Sequence, residues 1–187
     1  AVNVARLVIA MTFILSGFVK AVDPLGTQYK IVDYLKAMQL GTFVPDFLTL
    51  TASVLLSAVE FGLGICMLFA IRRRLVSLLA LCMMIPMTAL TLWLAVANPV
   101  TDCGCFGDAV TLTNWQTFTK NVVLLGCAAI VRYRPLDMMR FVSKTNQWIV
   151  TNYSMLFIFA VSAWSLYDLP QFDFRPYHVG TNTLKGM

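Results

Sequence analysis

The chain has 187 residues, 59% of them hydrophobic and 12% charged, a balance far outside that of a soluble domain. It is read as an integral membrane protein. Its 14 Lys and Arg exceed its 9 Asp and Glu, but the cations stand at the ends of apolar segments, where they meet headgroups and set orientation, so nucleic-acid binding is excluded.

Five apolar segments are expected. The first, residues 4–22, carries Arg6 near its start and Lys20 near its end, and is too well flanked for a cleaved signal. Pro24 and Gly26 stop it. Residues 23–42 are expected to form a short interfacial helix, because Ile31, Leu35 and Met38 recur at helical spacing with Lys30, Asp33 and Lys36 on other faces. A helix lying on the membrane surface is the plain reading, and a lid over the cysteine loop described below is the sharper one. Gly41 and Pro45 punctuate the entry to the next segment.

The second and third segments, residues 47–71 and 75–97, are separated only by Arg72-Arg73-Arg74, a basic turn that marks the cytoplasmic side. Glu60 lies near the middle of the second segment and hence near the bilayer midplane, where a carboxylate is costly and faces the bundle interior. Ser53, Ser57, Glu60 and Gly64 share one helical face, a small and polar stripe suited to close helix contact. As a structural group, Glu60 would bond a hydroxyl of Thr12, Ser16, Thr88 or Thr91. As a functional one, it would accept a proton or contact a bound quinone. In the third segment Met83, Met84 and Met87 read as filler and Pro86 as a kink. Cys66, Cys82 and Cys127 lie inside apolar segments and read as packing.

Asp102-Cys103-Gly104-Cys105-Phe106-Gly107-Asp108 forms a polar connection to the fourth segment, residues 113–131. A Cys-Gly-Cys disulfide needs the backbone to bend so that the two Cα atoms come within about 4.4–6.8 Å, and glycine permits that bend. Such a pair is strained, and strained, exposed disulfides are the labile or catalytic ones. Cys103 and Cys105 are therefore the leading site candidates, as a redox pair or as a structural staple. Thr113 is a helix cap and Trp115 an interfacial anchor. Lys120, beside Asn121, is expected to snorkel back towards the loop.

The fifth segment, residues 148–167, follows Arg132, Arg134, Arg140 and Lys144, a second basic cluster on the cytoplasmic side. The amino terminus is then inside. The Cys-Gly-Cys loop and the tail, residues 168–187, lie outside, where disulfides persist if this is a bacterial inner membrane. His178 with Cys103 and Cys105 is one ligand short of a closed zinc site, so no metal is expected.

Phe13-Ile14-Leu15-Ser16-Gly17-Phe18-Val19-Lys20, Asp23-Pro24-Leu25-Gly26, Glu60 with Gly64, and above all Cys103-Gly104-Cys105-Phe106-Gly107 carry a resemblance. Over roughly residues 4–131 the chain resembles the MauE branch of the DoxX-like membrane proteins, in the form common in Bacteroidetes. The resemblance implies an all-α four-helix membrane bundle over residues 1–131, here extended by residues 132–167. It also implies a role near periplasmic protein maturation beside a thioredoxin-like partner. Methylamine metabolism itself is not carried over, since no feature of the chain reads as an amine site. The tail reads as the neck of an outer domain.

Three functions are weighed. The first is thiol-disulfide exchange by Cys103 and Cys105, with a quinone as the electron acceptor that a single cysteine pair requires. The second is a non-enzymatic scaffold subunit of an envelope complex, stapled by a structural disulfide. The third is a small-solute transporter using Glu60, disfavoured because no repeat or broken helix pair is evident.

Overall fold

The computed structural model of the chain describes residues 1–37, 44–97 and 112–168. Cys103, Cys105, Met38, Gly41, His178 and the tail from residue 169 lie outside them, so the readings placed on those residues are not addressed by the fold. Among the described residues the structure is all-α, with six helices: α1 (Val2–Val22), α2 (Pro24–Ala37), α3 (Asp46–Leu68), α4 (Arg73–Ala97), α5 (Asn114–Tyr133) and α6 (Gln147–Tyr167). Short 3-10 turns at Pro135–Asp137 and Lys144–Asn146 lie between α5 and α6.

Among the described residues, four helices are long and apolar enough to cross a membrane: α1, α3, α4, and α6 together with its preceding turn. The fourth expected segment, α5, falls short on apolarity. The reason lies in where its polar residues point: Asn114, Thr117 and Asn121 are buried, whereas Val122, Val123 and Ile130 are exposed on its outer face. Part of its polarity is spent inside the bundle, while Gln116, Thr119 and Arg132 stay exposed, and it packs against α4 and α1.

α1 is the centre, lying against α3 along most of its length and against α5 and α6 on its other sides. The α1–α3 approach is set by two glycines. A Cβ on Gly17 would stand 2.5 Å from the Phe61 nitrogen and 2.8 Å from the Ser57 carbonyl oxygen. A Cβ on Gly64 would stand 2.8 Å from the Ile14 nitrogen. The small-residue stripe expected on the second segment is thus the face that meets α1, with Ser53, Ser57 and Glu60 all buried. Below it, Ile9, Phe13, Met67, Met84, Leu124 and Val131 form the main apolar core.

Asp23 ends α1 and starts α2. Its Oδ1 accepts from the Gly26 backbone nitrogen at 2.9 Å, and Pro24 takes the first helical position, where a missing N–H costs nothing. α2 does not rest on Ile31 and Leu35, which are only half-buried; its buried residues are Pro24, Thr27 and Gln28. Gln28 Nε2 donates to the Asp46 carbonyl and to Thr49 Oγ1, both at 3.1 Å, and Ser53 Oγ donates to the Pro24 carbonyl at 2.7 Å. Polar bonds to the first turns of α3 decide which face docks, which helical periodicity does not register.

α3 ends in a Schellman turn. The Ile71 nitrogen bonds the Cys66 carbonyl at 2.8 Å and the Ala70 nitrogen bonds that of Met67 at 3.2 Å, with Ala70 in the left-handed region at φ 54°. Arg72 is left-handed too, at φ 40°. α4 then runs unbroken across Pro86, the expected kink.

Arg6, expected as a flanking headgroup contact, is 1% exposed. Its Nη1 donates to the Met139 carbonyl at 2.6 Å, and its guanidinium lies 5.1 Å from the centre of the Phe141 ring. Arg73 Nη1 donates to the carbonyls of Leu136 and Met138. These bonds strap residues 134–141 across one end of the bundle. Arg6, Arg72, Arg73, Arg74, Arg132, Arg134, Arg140 and Lys144 gather there, and among the acids of the described residues only Asp137 joins them.

Candidate functional site in the bundle core

Glu60 faces α1 and meets Lys20. Lys20 Nζ lies 2.6 Å from both carboxylate oxygens, and Ser16 Oγ donates to Oε2 at 2.7 Å. Lys20 Nζ also donates to Ser16 Oγ at 3.0 Å, closing a three-membered network. Both charged residues are 4% exposed. Burial of an ion pair is stabilising only when geometry and further hydrogen bonds offset the desolvation, and the closed triangle supplies both.

Ser16 follows Arg6 by ten residues, roughly 15 Å of helix and about half of a ~30 Å hydrocarbon layer. The pair is thus set about ten residues of helix away from the cationic end at Arg6. Among the hydroxyls considered for it, Ser16 is the one that bonds. Lys20 is the site residue that the sequence does not single out: near the helix end it reads as a flanking cation on the outer side, yet it is buried. The signal was its spacing of four from Ser16, which sets the two on one helical face, combined with the lone acid opposite.

The triangle borders a small cavity of ≈ 30 Å³, lined also by Thr12, Met84, Met87, Lys120 and Asn121. It has room for about one water. Lys120 thus faces the same cavity as Glu60, half-buried, rather than only turning back towards the loop. Its neighbour Asn121 donates through Nδ2 to Thr91 Oγ1 at 3.2 Å, joining α5 to α4. Thr91 lies six residues before the end of α4, and Asn121 seven after the start of α5. These two helices are the stems of the loop that carries Cys103 and Cys105, so a polar bond clamps its base.

The second stem is capped as expected. Thr113 Oγ1 accepts from the Gln116 nitrogen at 3.4 Å, and Gln116 Oε1 accepts from the Thr113 nitrogen at 3.1 Å, a complete capping box. Thr113→Ala is expected to cost about 1 kcal/mol. Chemical denaturation of the purified protein measures it, and an unchanged midpoint would mean that the cap is idle. Trp115 is 60% exposed and meets Phe118 edge-on at 6.2 Å.

A separate cavity of ≈ 380 Å³ opens between α1 and α6 at the end away from the cations. Phe18, Phe157 and Trp164 wall it, with Ser165 supplying a hydroxyl. Phe18 and Phe157 are stacked, 6.4 Å apart. Flat aromatic walls and a single hydroxyl suit a planar, weakly polar ring such as a quinone's.

The remaining cysteines are free thiols. Cys66 and Cys127 pack half-buried against the main core, as expected, but Cys82 is exposed on the outer face of α4, which the bundle does not cover. Among the described residues, no cluster of three His, Cys, Asp or Glu side chains could hold a metal ion.

Residues 1–134 match the model of one protein family, described as methylamine utilisation protein MauE. No curated protein and no solved structure matches the chain.

Proposed function

The chain belongs to the MauE family of membrane proteins, matched over residues 1–134, and on that premise we propose that it carries out thiol-disulfide exchange for the maturation of periplasmic proteins. Cys103 and Cys105 are the exchanging pair, and the partner is thioredoxin-like. The observation that carries this reading is the clamped base of the Cys-Gly-Cys loop. Its stems are joined by Asn121 and Thr91, and its second stem starts in a full capping box. A redox loop gains from rigid stems, because they hold a bent pair in reach of an attacking thiolate.

A thiolate of the partner attacks one sulfur of the Cys103–Cys105 disulfide, which breaks as a mixed disulfide forms. The partner's second thiolate displaces that bond, leaving the partner oxidised and the loop as a dithiol with two electrons and two protons gained. A quinone seated at Phe18, Phe157 and Trp164 would supply the acceptor for those electrons and protons. The protein resides in the bacterial inner membrane, its cationic end towards the cytoplasm by the distribution of Lys and Arg, and the loop on the oxidising side.

Labelling of the cysteines in intact cells with a mass-tagged reagent, with and without prior reduction, tests the proposal. The expected result is a mixed redox population in the wild type and, in Cys105→Ser, Cys103 trapped on a second protein. A pair that is always oxidised, with nothing trapped in Cys105→Ser, would overturn exchange and leave the loop as a structural staple. The scaffold reading draws on the Lys20–Glu60–Ser16 triangle, whose closed bonding is that of a clamp. Transport through Glu60 loses support on the same ground, since both its carboxylate oxygens are bonded within the triangle and its cavity has room for about one water rather than a solute.

A further inference from the structure

We propose that the cleft between α3, α4 and α6 at the cationic end is a binding site for one anionic phospholipid of that leaflet. α4 packs mainly on α5 rather than on α3, whereas α6 packs on α3 and α1. The gap left between them is a cavity of ≈ 580 Å³, within the range of small-molecule sites.

Its polarity is graded along the helices. Arg72, on the α3–α4 turn, and Lys144, on the turn before α6, stand at its mouth, and no acidic residue lines it. Gln147 and Asn152 add amide donors one to two turns further along. Deeper, Val59 and Leu63 of α3 face Leu79 of α4. Val59 precedes Arg72 by 13 residues, so the apolar part reaches roughly 15–20 Å into the bundle. Two cations with one amide a turn further in, and a second amide above an apolar slot parallel to the helices, match a phosphate diester with an acyl chain below it. A free phosphate would use only the mouth and leave the apolar slot without an occupant of its own. The anion and the chain are needed together, and a phospholipid has both.

The expected ligand is phosphatidylglycerol in phosphatidylcholine nanodiscs holding the whole chain. Replacing part of the phosphatidylcholine should raise the thermal midpoint by roughly 2–4 °C, and native mass spectrometry should retain one anionic lipid per protein. R72N/K144Q should abolish both effects; Asn suits the left-handed backbone at position 72 better than most residues, so the turn is preserved. Leu79→Trp, which keeps the cations but fills the slot, should also release the lipid, and it serves if the first variant does not fold. R132Q/R140Q, at the same end but outside the cleft, should keep both effects. Equal midpoints in the two lipids, or equal loss in R132Q/R140Q, would overturn the site in favour of general attraction to the charged end. A full shift from inorganic phosphate in phosphatidylcholine alone would overturn the lipid as the ligand.

Discussion

Glu60→Gln and Lys20→Met should each destabilise the bundle by about 3–5 kcal/mol, because each leaves a partner buried without its counter-charge. The double variant Lys20→Met/Glu60→Met should recover most of the loss, since replacing a whole buried pair by apolar side chains of similar volume is near neutral or stabilising. The pair lies at 2.6 Å inside a triangle with Ser16, beside a cavity with room for about one water, too little to solvate either charge left alone. Denaturation midpoints of the four proteins in one detergent give the coupling energy. Additive losses in the double variant would show that the two side chains stabilise the bundle separately, and the clamp would fall.

The same cycle bears on function. If exchange at Cys103 and Cys105 persists in the double variant, Glu60 is a structural group and the redox loop works without it. Lost exchange in a bundle of wild-type stability would give the triangle a part in the chemistry.

Gly17→Leu and Gly64→Leu should each prevent α1 from seating on α3. Even alanine at Gly17 would set its Cβ against the Phe61 nitrogen and the Ser57 carbonyl, backbone atoms that cannot turn aside like a side chain. A cost of at least about 3 kcal/mol is expected for Gly17→Ala, at the upper end of overpacking effects. The leucine variants should fail to give a monodisperse protein after detergent extraction. Gly126→Leu is the control: nothing lies within 4 Å of its Cβ position, so that variant should extract and unfold like the wild type. If all three behaved alike, the loss would come from leucine in a helix rather than from close packing.

α1 and α3 also show why the two glycines outrank the larger side chains here. Lipid tails are as apolar as leucine, so association inside the bilayer depends on close packing and polar bonds rather than on expelling water. Gly17 and Gly64 permit the approach, and the Lys20–Glu60–Ser16 triangle uses it. Gln28, Ser53 and Thr49 continue the same seam past the end of α1 to hold α2.

The membrane class and the helical segments follow from the sequence alone, because burial of backbone polar groups in lipid admits long apolar helices and their lengths are set by bilayer thickness. The basic turn at Arg72-Arg73-Arg74, the cap at Thr113 and the inward stripe of Ser53, Ser57, Glu60 and Gly64 were legible for similar reasons, each being a local pattern within one segment. Partners across helices were not. Lys20 looked like an ordinary flanking cation, and only the antiparallel register of α1 and α3 sets it against Glu60. Arg6 is buried because residues 134–141 fold back over it, a contact spanning 133 positions in the chain. The inward turn of α5 and the docking face of α2 likewise depended on polar groups of other helices. A periodicity reports which face of a helix differs from the rest; which neighbour that face meets is a matter of register and of hydrogen bonds between segments, and those exist only once the helices are packed.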